Sequence, residues 1–213
     1  MHLIAMLTMV IDHAGHIFAP GQSIWRIVGR LAMPIYAYCL VEGYRHTGSL
    51  MRYIRRLVLL AAISQVPYLA ALDMGNINII GTFVVCLLVM AAMDRIKPKA
   101  GAWAVALAGV AVLELIPFDY GAYALLLVLA FRYLESHRLV MAHLALNAAY
   151  LLYRGADLQL YSVVSTMFLV YRPSLYRLLD RIEIKRWVWR SFYPAHLVVL
   201  AAAEQVIDIA LRR

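Results

Sequence analysis

Apolar residues recur along the chain in runs long enough to cross a membrane, broken by short polar turns. At about 20 residues per span, the pattern predicts an all-α polytopic transmembrane helical bundle. It has about nine spans, near residues 2–19, 27–45, 54–72, 77–94, 100–117, 119–134, 139–153, 157–171 and 192–211. Spans six to eight are short. Fifteen residues of helix cover only about 22 Å, which suits tilted neighbours or partly re-entrant segments. The breaks carry turn chemistry: Pro20-Gly21, Gly48-Ser49, Met74-Gly75-Asn76, Lys97-Pro98, Pro117 to Gly121, Arg154-Gly155 and Arg172-Pro173. No polar stretch leaves room for a soluble domain, so residues 1–213 read as a single integral-membrane domain without an internal repeat. The first run, Met1 to Ala19, lacks a basic leader and a small-x-small cleavage site, and Asp12, His13 and His16 interrupt it. It is expected to be a span and not a signal peptide.

Composition agrees with this pattern. The 213 residues are 64% hydrophobic and 15% charged, with mean hydropathy +0.75, which excludes an ordinary soluble domain. The net charge of +8 is loop charge of the kind that sets membrane topology, so nucleic acid is not an expected partner. Cys39 and Cys86 lie within apolar runs and offer neither a disulfide framework nor a metal cluster.

The basic residues alternate from loop to loop. Fifteen follow spans two, four, six and eight, whereas Arg26, Arg154, Arg212 and Arg213 lie in the opposite loops and at the C-terminus. The positive-inside rule then places the N-terminus in the cytoplasm and the C-terminus outside. In the longest loop, about residues 172–190, Leu175, Leu178, Leu179, Ile182, Ile184, Trp187, Val188 and Trp189 interleave with basic residues. That pattern predicts an amphipathic segment on the inner leaflet.

Ionisable side chains within spans cost about 2.5–3.5 kcal/mol on insertion scales and tend to mark function. Span one carries Asp12, His13 and His16; span two carries Arg30 and Glu42, with Tyr36, Tyr38 and Pro34 between them. Helix geometry puts Asp12 and His16 on one face and turns His13 away. Two readings of Asp12 and Arg30 stand side by side: part of a polar track, or an ion pair that holds two spans together. At the cytoplasmic side, Glu42, Arg45, His46, Arg52, Arg55 and Arg56, with Tyr193 and His196 at the start of span nine, form a cluster suited to phosphates. Ser64, Gln65, Asn76, Asn78 and Thr82 read either as an outer acceptor pocket or as helix caps. The sequence has no Walker, dinucleotide-binding, HExxH or CxxC motif, and no metal site is expected.

Several segments resemble, in order, the motifs of the TraX family. They are Asp12-His13-Ala14-Gly15; Gly29-Arg30 followed by Pro34; Glu42-Gly43-Tyr44-Arg45-His46-Thr47; Ser64-Gln65 with Pro67-Tyr68; Tyr120-Gly121 with Tyr123; and Phe192-Tyr193-Pro194 with His196-Leu197. The chain departs from the family pattern in Asn78-Ile79-Ile80-Gly81-Thr82, where the family has Phe in place of Gly81, and in Tyr171-Arg172-Pro173, where it has Tyr-Asn-Gly. The resemblance implies a multi-pass protein of the bacterial cytoplasmic (inner) membrane, in a family named for acetylating the N-terminus of conjugative pilin and grouped with acyl-CoA-dependent membrane acyltransferases.

The combined expectation is an O- or N-acetyltransferase with acetyl-CoA as co-substrate, its phosphates held at the basic cluster. The acceptor would be an extracytoplasmic amine or hydroxyl on a small molecule, a glycan or a peptide N-terminus. His13 is the expected base on the resemblance, while geometry alone favours an Asp12–His16 pair. Arg30 would stabilise the oxyanion or hold Asp12 charged, and Gln65, Asn78 and Tyr120 would line the acceptor side. The competing classes are a proton-coupled transporter built on the intramembrane Asp, His, Arg and Glu residues, and a non-catalytic assembly factor.

Overall fold

The computed structural model describes residues 2–172 and 185–211. Helices occupy all nine predicted apolar runs. They are α1 (His2–Phe18), α2 (Ser23–Arg30), α3 (Ala32–His46), α4 (Leu50–Leu72), α5 (Ile79–Arg95), α6 (Lys99–Leu115), α7 (Gly121–Tyr133), α8 (Ser136–Arg154), a 3-10 turn (Asp157–Ser162) leading into α9 (Val163–Tyr171), and α10 (Arg186–Leu211). Among the described residues no strand forms. Among the described residues, three segments are long and apolar enough to cross a membrane: Ser23–His46, Leu50–Leu72 and Trp187–Ala210. Most of the amphipathic-loop expectation, including Leu175 to Ile184, falls outside the described residues.

The second run is one helix in the sequence pattern and two in the structure. Pro34 has no N–H to offer the carbonyl of residue 30, and the helix breaks there. Leu31 N donates instead to Val28 O in a tighter turn at 3.2 Å. Ser165 Oγ on α9 donates to Leu31 O at 2.8 Å, so the irregular backbone at this depth is partnered by protein.

The core has two parts. Around α7, where Gly121, Tyr123, Leu125, Leu127, Val128 and Phe131 are buried, α3, α5, α6 and α8 contribute Leu40, Leu87, Met90, Leu113 and Leu139. A short helix that is apolar all round belongs in the middle of a bundle. The second part joins α1, α4 and α10 through Met9, Tyr68, Leu72, Tyr193, Leu197 and Ala201. Outside these cores, α4 exposes Leu59, Ile63 and Val66, the last at 75%. Residues at this spacing form one outward stripe, and apolar residues on both faces of a helix are what lipid immersion requires.

At the end of the bundle where α4 gives way to α5, two turns are pinned together. Ile77 N donates to Pro117 O and Asp119 N to Ile77 O, both at 2.8 Å, and Thr82 Oγ1 donates to Asp119 O at 2.7 Å. This fixes the turn that carries Asp119 and Tyr120. Tyr120 has φ 60 and Gly121 has φ 51, and a tyrosine in the left-handed region is an uncommon and strained conformation.

Candidate functional site

Between the two cores lies a cavity of about 90 Å³, lined by Asp12 and His13 of α1, Arg26 and Arg30 of α2, Tyr36 of α3, Tyr68 and Leu72 of α4, and Asp119 and Tyr120 of the pinned turn, among others. The polar groups meet there because α1 and α2 approach at glycines. A Cβ on Gly29 would lie 2.2 Å from Asp12 Cβ, and one on Gly15 would lie 2.1 Å from Trp25 Cβ. Only a residue without a side chain fits at either place.

Asp12 turns across this contact. Arg30 Nη2 donates to both of its carboxylate oxygens at 3.0 Å, and Arg26 Nε stands 3.5 Å from Oδ1. Arg30 also donates from Nε to Arg26 O and from Nη1 to Gln159 Oε1, both at 3.4 Å, and its guanidinium lies 5.5 Å from the centre of the Tyr120 ring. One Nη1–H is left for another acceptor. The ion-pair reading of Asp12 and Arg30 is therefore the structural one, and the Asp12–His16 pairing does not occur. An arginine on the facing helix outcompetes an imidazole because its hydrogen bonds to a carboxylate are charge-assisted. His16 is half-buried but does not line the cavity.

His13 is paired with a residue far away in the chain. Its Nδ1 lies 2.9 Å from His196 Nε2 on α10. The ring centres are 5.2 Å apart and the planes differ by 9°. That separation equals the N–N distance plus the two ring radii, so the bond runs in the plane of both rings and the faces do not stack. Phe192 does stack on His196, at 4.7 Å and 9°.

The expected phosphate cluster divides. Arg52, Arg55 and Arg56 stand exposed on the first turns of α4, and no ion pair engages them among the described residues. Glu42, Arg45 and His46 satisfy one another: Arg45 Nη1 donates to Glu42 Oε1 at 3.1 Å, His46 Nδ1 lies 3.6 Å from Glu42 Oε2, and Arg45 Nη2 donates to Arg132 O at 2.9 Å. Tyr193 and His196 leave the cluster altogether. Tyr193 is buried beside Tyr68 and Met9. Both nitrogens of His196 are engaged, by His13 and by Phe192 O, which leaves no donor for a phosphate.

Gln65 and Asn78 form a cap. Asn78 Oδ1 accepts from Ile80 N and Gly81 N at the start of α5. Its Nδ2 donates to Ala61 O and to Gln65 Oε1, and Gln65 Nε2 donates to Asn76 O. With every amide atom committed and neither residue on the cavity wall, capping is the role the geometry supports, in place of the expected acceptor contact. Tyr120 is on the wall, as expected.

Sequence reasoning gave no site role to Arg26, Asp119 and Gln159, and noted Tyr36 in span two and Tyr68 in a TraX-like segment without assigning either to the site. Arg26 was readable in hindsight, four residues before Arg30 and so on its face. Asp119 directly precedes the Tyr120-Gly121 motif. Gln159 gave no signal in the pattern. Among the described residues no group of three His, Cys, Asp or Glu side chains could hold a metal.

The family model described as "TraX protein" matches residues 1–203. The chain belongs to the TraX family. Among curated proteins it is similar to a "Probable fimbrial assembly protein FimC, serogroup H1" of Dichelobacter nodosus, with 26% identity over 98% of this chain and 96% of that protein. No solved structure matches it. The TraX match covers every helix that lines the cavity; resembling segments on α1, α2, α4 and the turn before α7 contribute to its wall, and the one on α10 touches it through the His196–His13 contact.

Proposed function

We propose that this TraX-family protein crosses the bacterial cytoplasmic membrane nine times, with its N-terminus inside. It transfers an acetyl or short acyl group from cytoplasmic acyl-CoA to an amine or hydroxyl acceptor on the outer side. The observation that carries this reading is the course of α4, which bears Arg52, Arg55 and Arg56 without ion-pair partners among the described residues at one end and the cavity-lining Tyr68 and Leu72 at the other. Cations in the first turns of a helix oppose its dipole, and a bound phosphate would relieve them. Twelve residues from Arg56 to Tyr68 amount to about 18 Å of helix, the gap a pantetheine arm would bridge. The cavity, about 90 Å³, matches roughly three waters. It would take the acetyl end of the thioester and exclude a long chain.

His13 is the general base of this reading. The acceptor nitrogen or oxygen attacks the thioester carbonyl carbon while its proton passes to His13. The tetrahedral oxyanion meets the remaining Nη1–H of Arg30. The C–S bond then breaks, and the coenzyme sulfur leaves with the proton held on His13. The products are the acylated acceptor and the free thiol. Asp12 keeps Arg30 in place, and holding both reactants in one small cavity removes their entropy of encounter beforehand.

Calorimetry of acetyl-CoA with the protein in detergent tests the reading, with free CoA and an Arg55→Ala, Arg56→Ala double variant alongside. Saturable binding weakened in the variant is expected. Folded protein that binds neither ligand would overturn it. The name of the Dichelobacter relative favours a second reading, a membrane assembly factor without chemistry of its own, and the same null result would support that one.

A further inference from the structure

We propose that His196 is a positioning residue that fixes the tautomer of His13, so that the His13 Nε2 lone pair is the base that faces the cavity. The inference rests on the transferase reading for its purpose but not for its geometry. On α10, His196 Nδ1 lies 2.9 Å from Phe192 O. A carbonyl oxygen only accepts, so this nitrogen carries the hydrogen. In a neutral imidazole the other nitrogen then has the lone pair, and His196 Nε2 must accept. What it meets at 2.9 Å is His13 Nδ1, which must therefore donate. His13 is left with a bare Nε2, to which no described residue bonds, on a ring that lines the cavity.

One backbone carbonyl on α10 thus dictates, through two rings, which nitrogen of α1 is basic. Neither ring can turn freely. Phe192 stacks on His196, and the His13–His196 bond lies in the plane of both imidazoles. When His13 Nε2 takes the acceptor's proton, the positive charge on its ring strengthens the hydrogen bond from Nδ1 to His196. The orienting partner in a serine-protease triad is a carboxylate. Here the carboxylate of Asp12 is committed to Arg30 and Arg26, and a neutral imidazole takes that role.

The test uses full-length protein in detergent with isotope-labelled histidine, and nuclear magnetic resonance reads which ring nitrogen of His13 carries the proton. The signal is assigned by its loss in His13→Ala. The expected spectrum has Nδ1 of His13 protonated in the parent and that preference lost in His196→Leu. A parent protein with Nε2 protonated overturns the proposal whether or not acetyl transfer is ever found. With acetyl-CoA and a model amine, His196→Leu is expected to lower kcat by about 10²-fold, the lower end of what a general base contributes, at unchanged KM for acetyl-CoA. His196→Gln, whose Oε1 can accept from His13 Nδ1, restores part of it. Unchanged kcat, or a raised KM alone, would overturn the proposal. If the parent transfers nothing, the transferase reading falls, and the spectrum still decides the histidine pair.

Discussion

Two of the polar clusters inside this bundle differ in what they leave unspent. Between α7, α8 and the 3-10 turn, Tyr123 Oη donates to Asn147 Oδ1 at 2.8 Å and meets His143 Nε2 at 2.9 Å. His143 Nδ1 meets Thr166 Oγ1 at 2.7 Å, and Asn147 Nδ2 donates to Gln159 O at 3.0 Å. His143, Asn147, Ser162 and Thr166 have no exposed surface. The side chains of Tyr123, His143, Asn147, Ser162 and Thr166 all have hydrogen-bond partners there, and none of the five lines the cavity beside Asp12. Around Asp12 and His13 the partners are as good, but a cavity adjoins them, and among the described residues no hydrogen bond engages His13 Nε2 or the second Nη1–H of Arg30. Buried polarity alone marks structure. Buried polarity with spare hydrogen-bonding capacity beside a cavity marks a site.

The contrast can be broken most forcefully at Gly29. Gly29→Ala would drive a methyl group into Asp12, with loss of several kcal/mol from overpacking and the disrupted buried ion pair. Both thermal stability in detergent and acetyl transfer should collapse; a variant that keeps both would mean the α1–α2 contact is looser than the structure has it. His13→Ala should separate the two properties, with transfer lowered about 10²–10⁴-fold while the melting temperature and acetyl-CoA binding stay near parental values. Transfer that survives at the parental rate would remove His13 as the base.

Asn147→Leu should do the reverse. It removes one hydrogen bond each from Tyr123, Ser162 and Gln159 O, for a loss of about 1–3 kcal/mol seen as a lower unfolding midpoint, with turnover per folded molecule unchanged. Lost turnover at intact stability would make that cluster part of the chemistry. The smallest effect is expected at Asn78→Ala, about 1 kcal/mol for a lost helix cap, with acceptor KM unaltered. A raised acceptor KM would return Asn78 to the substrate pocket.

The helical segments were legible from hydropathy because lipid allows so few alternatives for an apolar chain. The break after Arg30 followed from Pro34, although its placement depended on which carbonyl Pro34 leaves unpaired. Asp12, His13, Arg30 and Tyr120 stood out as polar or motif residues in apolar surroundings, and the structure gathers all four on one cavity wall. His16 stood out equally and is absent from that wall. Helix periodicity places residues on a face but is silent about what stands opposite. Tyr36 and Tyr68 were named in the sequence but given no place in the site for the converse reason, since an aromatic residue within an apolar run looks like core. His196 was read as a phosphate ligand because the predicted topology puts the start of span nine on the side of the basic cluster, whereas its neighbours in space are Phe192 and His13.

The sequence by itself determined an all-helical membrane architecture, the approximate positions of its helices and most of the polar residues that matter, because those follow from short-range chemistry and the solvent. The tertiary structure alone decided which partner each polar group takes. Whether Asp12 pairs with His16 or with Arg30, and whether His196 serves a phosphate or His13, depends on contacts between residues up to 183 positions apart. Close packing at Gly15 and Gly29 brings α1 against α2, and the packing of α10 brings His196 to His13.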